Sequence, residues 1–407
     1  MEALMNSKIC PESRLKAGRE RSLANRHPWV FSGALREVPK VPPGTIVDVR
    51  SAEGRFLARG MANPCSQITV RVLTWDEHEA IDRAFFKRRF EAAAARRSGI
   101  LGEHTTACRL VSSEADGLPG LIIDRYGEWL VIQLLSGGME TRRDIILDLC
   151  REVFSPEGIY ERSDDESRRL EGLPMRSCIA WSREDEGVEA RLERGVEIRE
   201  NGARYLVDVV RGHKTGFYLD QRENRAAVGE LARGRRLLNC FCYTGGFSVM
   251  AARHGAREVV SVDASELALD LAKKHFEMNG LEGGSFVKAD VFEYLRALDQ
   301  AGERFGMIIL DPPKFAARAS HVDKAARGYK DLSRLAFRLL EPGGLLMTYS
   351  CSGHISGDLF QKIVFSASVE AGVDAVIERR LGQAGDHPIP LSFPEAEYLK
   401  GLVCRKT

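Results

Sequence analysis

Leu237-Leu238-Asn239-Cys240-Phe241-Cys242-Tyr243-Thr244-Gly245-Gly246-Phe247 is an apolar run that meets a pair of glycines and passes directly into a helical pattern over 247–254. A strand, a glycine turn and a helix N-terminus in that order let the backbone approach a ligand with free amides. The turn lacks the G-x-G-x-x-G spacing, so a dinucleotide pyrophosphate is not its expected guest. About twenty residues on, the run 258–263 ends at Asp263-Ala264-Ser265, and Ser265 caps a helix that stops at Asn279-Gly280. A short third strand, 286–288, leads to Asp290-Val291, and a fourth, 307–310, leads to Asp311-Pro312-Pro313-Lys314-Phe315. A helix over 323–340 ends at Pro342-Gly343-Gly344, before a fifth strand at 345–350. This alternation predicts an α/β doubly wound parallel sheet from about residue 196 onward, with the run 398–404 inserted antiparallel.

The strand ends carry the chemistry. Asp263 suits ribose hydroxyls and Asp290 an adenine amino group, although either acid alone reads more readily as a helix cap or loop solvator. Three acids at successive strand ends read as a pocket. Tyr349-Ser350-Cys351-Ser352-Gly353-His354 closes the fifth strand, which places the Cys351 thiol beside the Asp311 carboxylate on one rim. The nine cysteines include no C-x-x-C pair, so neither a zinc site nor a disulfide framework is expected. The others read as buried reduced thiols.

Elsewhere the chain is less explicit. Its 44% apolar and 29% charged residues describe a globular protein, and no run approaches the length of a membrane span. The N-terminus has no apolar segment of the signal-peptide kind, so a cytoplasmic protein is expected. Residues 1–75 hold short β-like runs at 46–49, 56–60 and 68–73, and 82–97 reads as a helix with a basic face. Strand-like runs at 108–111, 121–124, 129–134 and 158–161 surround a helix at 140–153, and the charged stretch 163–187 reads as a loop or arm. Net charge is +1, yet residues 1–100 carry 18 Lys and Arg against 11 Asp and Glu, a hint of a polyanionic partner.

The glycine turn, Asp263, Asp290, Asp311-Pro312-Pro313 and Pro342-Gly343-Gly344 resemble the class I (Rossmann-like) S-adenosylmethionine-dependent methyltransferases. Gly216-Phe217-Tyr218-Leu219-Asp220-Gln221-Arg222, the turn through Ser248, Asp311–Phe315 and Tyr349-Ser350-Cys351-Ser352 are similar to bacterial 23S ribosomal RNA cytosine-C5 methyltransferases with an N-terminal PUA domain. Arg19-Glu20-Arg21-Ser22 and His27-Pro28-Trp29-Val30-Phe31-Ser32-Gly33 resemble that family's PUA opening. The resemblance implies a β-rich PUA domain at 1–75, a small α+β central domain at 76–195 and a methyltransferase domain at 196–407. It implies S-adenosyl-L-methionine held by Asp220, Gln221, Arg222, Cys242, Tyr243, Thr244, Gly245, Gly246, Asp263, Ala264, Ser265, Asn279, Asp290, Val291, Asp311 and Pro312. Arg222 would meet the methionine carboxylate. The substrate would be 23S ribosomal RNA, naked or partly assembled, gripped by Lys16, Arg19, Arg21 and Arg26. The resemblance also allows a homodimer.

Cytosine C5 is a poor nucleophile until a thiolate adds at C6. The resemblance assigns that thiolate to Cys351, with Asp311 stabilising charge at N3. No cysteine follows Pro312-Pro313, unlike the related eukaryotic-type enzymes, so Lys314, His354 and an ordered water all stand as bases for the C5 proton. Two other readings compete: a nitrogen-directed base methyltransferase, which has no use for Cys351, and a non-catalytic RNA-binding assembly factor.

Overall fold

The computed structural model describes residues 10–184, 186–316 and 318–407. Three large sheets and one two-stranded hairpin divide the described residues. The first has five strands in the spatial order Glu12–Arg14, Thr45–Arg50, Phe56–Ala62, Ile68–Thr74 and Trp29–Phe31, around a core that includes Val47, Val49, Val70 and Val72. Each expected β run in this region is a strand, because alternating β-branched residues put one face of the sheet inward.

The helix Arg83–Arg97 forms as expected, capped by Asp82 on the amide of Phe85. Its basic face is turned to internal use. Arg97 is buried and donates to both oxygens of Asp116 at 2.7 and 2.8 Å, while Arg83 and Lys87 pair with Glu152 and Arg88 with Glu79. The second sheet runs Arg176–Ser182, Gly158–Ser163, Trp129–Leu134, Leu121–Tyr126, Ala107–Ser112. Its edge strand lies within 163–187, the stretch expected to be a loop or arm. Register pairing of Ile179 with Tyr160 and of Trp181 with Ile159 recruits that segment, and the charges flanking it hid the strand. A hairpin, Val196–Glu200 with Ala203–Val207, then leads into the third unit.

In that unit we number the strands β1 (Arg236–Cys240), β2 (Glu258–Asp263), β3 (Gly284–Lys288), β4 (Phe305–Leu310), β5 (Leu340–Ser350), β6 (Ala375–Leu381) and β7 (Lys400–Lys406). The helices are α1 (Arg222–Leu231), α2 (Gly246–Arg253), α3 (Glu266–Met278), α4 (Val291–Gln300), α5 (Val322–Leu339) and α6 (Gly357–Ala371). The spatial strand order is β3-β2-β1-β4-β5-β7-β6, with β7 antiparallel to both neighbours as expected. β4 is buried along its whole length and almost wholly apolar, as a parallel strand covered on both faces must be. One face of the sheet shares its core with Tyr126, Trp129 and Tyr160 of the central sheet, so the two units are packed as one body. Among the described residues no helix is long and apolar enough to cross a membrane.

Candidate active site

The parallel strands β1, β2 and β4, together with β5, end on one rim, and a cavity of about 710 Å³ opens there. After β1 the backbone enters the left-handed region twice on residues with a side chain, at Phe241 (φ 59°) and Tyr243 (φ 48°), before Gly245 at φ 76°. Such positions cost roughly 1–3 kcal/mol each and persist only where the surroundings enforce them. Here Asp263 does so, one oxygen accepting from the Tyr243 amide at 2.8 Å and the other from the Ser265 amide at 2.9 Å. A β-carbon on Gly245 would stand 2.9 Å from that of Ala272, which keeps the turn tight against α3.

Cys242, Tyr243, Thr244 and Gly246 lie on the cavity wall, as do Asp263, Ala264 and Ser265. Asp290, Val291 and Pro312 line it too, and Asp290 also caps α4 through the Glu293 amide at 3.1 Å. Asp220 and Gln221 reach the wall from the short 3-10 turn before α1. Gly245 sits behind the wall. Two expected cofactor ligands lie elsewhere. Arg222 is buried against Asp386, with bonds of 2.9 and 3.0 Å, and does not line the cavity. Asn279 closes the C-terminal end of α3, its amide bonded to the backbone of Arg204 and His275. In both cases nearness in sequence to a wall residue does not bring the side chain to the cavity.

Cys351 and Asp311 share the cavity. The Cys351 loop is pinned at Ser352, whose hydroxyl accepts from the Ala316 amide at 3.2 Å and meets Tyr329 Oη at 3.1 Å; Lys400 donates to its carbonyl at 3.0 Å. The loops after β4 and β5 are thereby fastened together, which holds thiol and carboxyl on one wall. Gln221 donates to Asp311 at 2.9 Å.

Electrostatics divides the two acids. Asp220 is buried, but Lys214 at 2.6 Å and Tyr398 Oη at 2.7 Å more than offset the burial and hold its carboxylate well below the usual range. Asp311 has no such cation; burial first, then the negative charge of Asp220, push it up to about 7. One acid is fixed as the anion and the other is poised to hold a proton near neutrality. Burial and Asp311 likewise push the Cys351 thiol up, with Lys214 acting against them. Of the two side chains considered for the C5 proton, Lys314 lines the cavity, whereas His354 is exposed and stands off its wall.

Lys16, Arg19, Arg21 and Arg26 are all exposed on the N-terminal sheet unit, and none of them makes an ion pair among the described residues. Lys16 donates to the Gly33 carbonyl at 3.0 Å, and Arg19 borders a shallow hollow with Trp29, Phe31 and Gly33. Arg26 stands apart from them, its guanidinium 5.3 Å from the Trp75 ring. Sequence reasoning missed Lys214, Tyr218 and Tyr398 on the cavity wall. Lys214 lies two residues before the quoted segment Gly216–Arg222 and Tyr218 inside it, but nothing in their spacing marks them as wall residues.

The strand order, the glycine turn and the acids at the strand ends define an S-adenosylmethionine-dependent methyltransferase. The buried, unpartnered oxygen Oδ1 of Asp220 fits the ammonium such a cofactor carries. The family model for S-adenosylmethionine-dependent methyltransferases matches residues 181–390, and that for PUA-like domains matches 14–75. The chain is 48% identical over 395 residues to the ribosomal RNA large subunit methyltransferase I of Aeromonas hydrophila, covering 96% of this chain and 98% of that one. It is 49% identical over 396 residues to the protein of the same name from Shewanella amazonensis, with the same coverage. A solved methyltransferase complexed with SAH superimposes with a TM-score of 0.83 at 24% identity, over 97% of this chain and 100% of that one. A second, from Streptococcus mutans, gives 0.81 at 23%, again over 97% and 100%. The chain belongs to the ribosomal RNA large subunit methyltransferase I family.

Proposed function

We propose that this protein methylates C5 of a cytosine in 23S ribosomal RNA, with Cys351 as nucleophile and Asp311 as the acid that faces the base. The observation that carries the reading is the pairing, on one wall, of a thiol with a carboxyl whose protonation midpoint is about 7. S-adenosylmethionine supplies the electrophilic methyl group. Around it, the amides of the 242–246 turn, Asp263 and Asp290 bind and orient, and Asp220 with Gln221 closes the other side.

In this reading Asp311 as carboxylate takes the Cys351 proton, and the thiolate adds to C6 of the cytosine. Asp311, now a carboxylic acid, donates to N3 as negative charge develops there, which is electrostatic stabilisation by a group already in place. C5 gains nucleophilic character and accepts the methyl group. Transfer of the C5 proton to water or to the neutral amine of Lys314, which lines the cavity, then expels Cys351 as thiolate and restores the ring. A cytosine in folded RNA must leave its stack to reach Cys351, at a cost of about a few kcal/mol, which favours naked or partly assembled RNA. Lys16 and Arg19 would position that RNA through phosphate contacts.

The test is transfer of labelled methyl to 23S RNA, followed by nucleoside analysis, for wild type and Cys351→Ala. The expected result is 5-methylcytidine from wild type alone. A methylated purine, or full turnover by the variant, would overturn the assignment.

A further inference from the structure

His213, Lys214 and Phe217 line the cavity, and the conformation of their segment is fixed from outside the methyltransferase sheet. Thr215 is fully buried; its hydroxyl donates to Asp124 at 2.6 Å and meets Tyr126 Oη at 2.8 Å, while the Phe217 amide donates to Tyr126 Oη at 3.3 Å. Asp124 and Tyr126 belong to the central strand Leu121–Tyr126 and are themselves inaccessible, Asp124 being held by Arg109 at 2.8 and 2.9 Å. Next to Thr215, Lys214 has φ 54°, a left-handed backbone that disfavours any residue with a β-carbon. Its ammonium lies 2.6 Å from Asp220 Oδ2 and 4.5 Å from the centre of the Tyr218 ring.

The cavity wall therefore presents two complementary groups. Asp220 is 3% exposed, and its Oδ1 has no donor among the described residues, an arrangement that is costly unless a ligand supplies one. Lys214, its side chain 40% exposed, keeps N–H groups to spare. An acceptor for an ammonium beside a donor for a carboxylate is the complement of an amino-acid zwitterion. The nearby guanidiniums are already engaged: Arg222 by Asp386, and Arg225 by Glu200 at 2.6 and 2.7 Å.

We propose that Lys214, clamped over the pocket by Asp124 and Tyr126 of the central domain, binds the carboxylate at the amino-acid end of the cofactor, while Asp220 Oδ1 takes its ammonium. The central domain is then a working part of the cofactor site. This rests on the cavity being that site, as read above.

The experiment is calorimetric binding of S-adenosylmethionine, of its decarboxylated analogue and of 5′-methylthioadenosine to the full chain. The first two differ only in the carboxylate, and the third lacks the whole amino-acid end. Wild type should prefer S-adenosylmethionine to the decarboxylated analogue. Lys214→Met should weaken S-adenosylmethionine by about tenfold or more, the scale of a charge-assisted hydrogen bond, and leave both analogues within about twofold. Tyr126→Phe, which removes one hydroxyl from beneath Thr215, should reduce the same preference by about threefold. Equal weakening of all three ligands by Lys214→Met, or of none, overturns the lysine's assignment; an intact preference in Tyr126→Phe overturns the part given to the central domain. Failure of wild type to bind any of the three would instead remove the cofactor pocket itself.

Discussion

Asp311→Asn should make the protein more stable as it makes it inactive, and the gain should depend on pH. A carboxyl whose folded midpoint is raised from 3.8 to about 7 binds more protons folded than unfolded between those values. Stability is therefore lost as pH rises through that window. At about 1.36 kcal/mol per pKa unit the full penalty is about 4 kcal/mol, of which about 2.7 kcal/mol accrues between pH 5 and pH 8. The cavity is open to water, so we halve the second figure to about 1.4 kcal/mol. For a unit of this size that is a shift of about 3–6 °C in unfolding temperature. The asparagine is isosteric and keeps an oxygen for the Gln221 amide, so the comparison removes charge and little else. Thermal unfolding of wild type and variant, without cofactor, at pH 5 and pH 8 measures it directly. The advantage of the variant should be larger at pH 8 by that amount. An advantage that is constant with pH, or larger at pH 5, would refute the claim that Asp311 carries a proton displaced by burial and by Asp220.

A 23S RNA fragment carrying 5-fluorocytidine should trap wild type as a covalent complex that survives denaturing electrophoresis, because fluorine cannot leave C5 as a proton does; Cys351→Ala should give no such band. Asp386→Ala strands the buried Arg222 guanidinium and should cost about 3–5 kcal/mol in denaturant unfolding, while the double variant with Arg222→Ala should cost less than the two single changes summed. Replacing Arg19 and Arg21 by glutamine should flatten the salt dependence of RNA affinity by about 0.7 in the log–log slope for each lost single-strand phosphate contact, measured by titration at several salt concentrations.

What the sequence revealed and what it hid separate along one physical line. Asp263, Asp290, Asp311 and Cys351 could be placed because parallel strands, each followed by its crossover, end on one rim, so order along the chain fixes position around the pocket. Arg222 could not, since its partner Asp386 lies 164 residues away, in a segment with neither helical nor strand period. β6 escaped for a related reason: its residues Val376–Arg380 are exposed on both faces of an edge strand, so no alternation records its pairing with β7. Asn279 was placed in the pocket by proximity to α3, where its hydrogen bonds to Arg204 belong to the hairpin instead.

The segment between β6 and β7 couples distant parts of the molecule, because it touches all three units. The Ala384 amide donates to the carbonyl of Asp220 at 2.9 Å, Asp386 accepts from Arg222 and from the Arg109 amide of the central sheet, and Arg97 donates to its carbonyl. Farther on, the Phe393 ring packs edge-on against Trp29 of the N-terminal sheet at 4.7 Å, and Glu395 meets His27 at 3.2 Å. Tyr398 then returns to Asp220. Gln383 closes the base of this loop on the carbonyls of His387 and Ala396, so it has little slack. A displacement of the N-terminal unit that carries Phe393 with it must be taken up within residues 394–398 or passed to the hydroxyl that holds Asp220. Since the charge on Asp220 adds to burial in raising Asp311, the position of the N-terminal unit and the proton on Asp311 are linked through one short piece of chain.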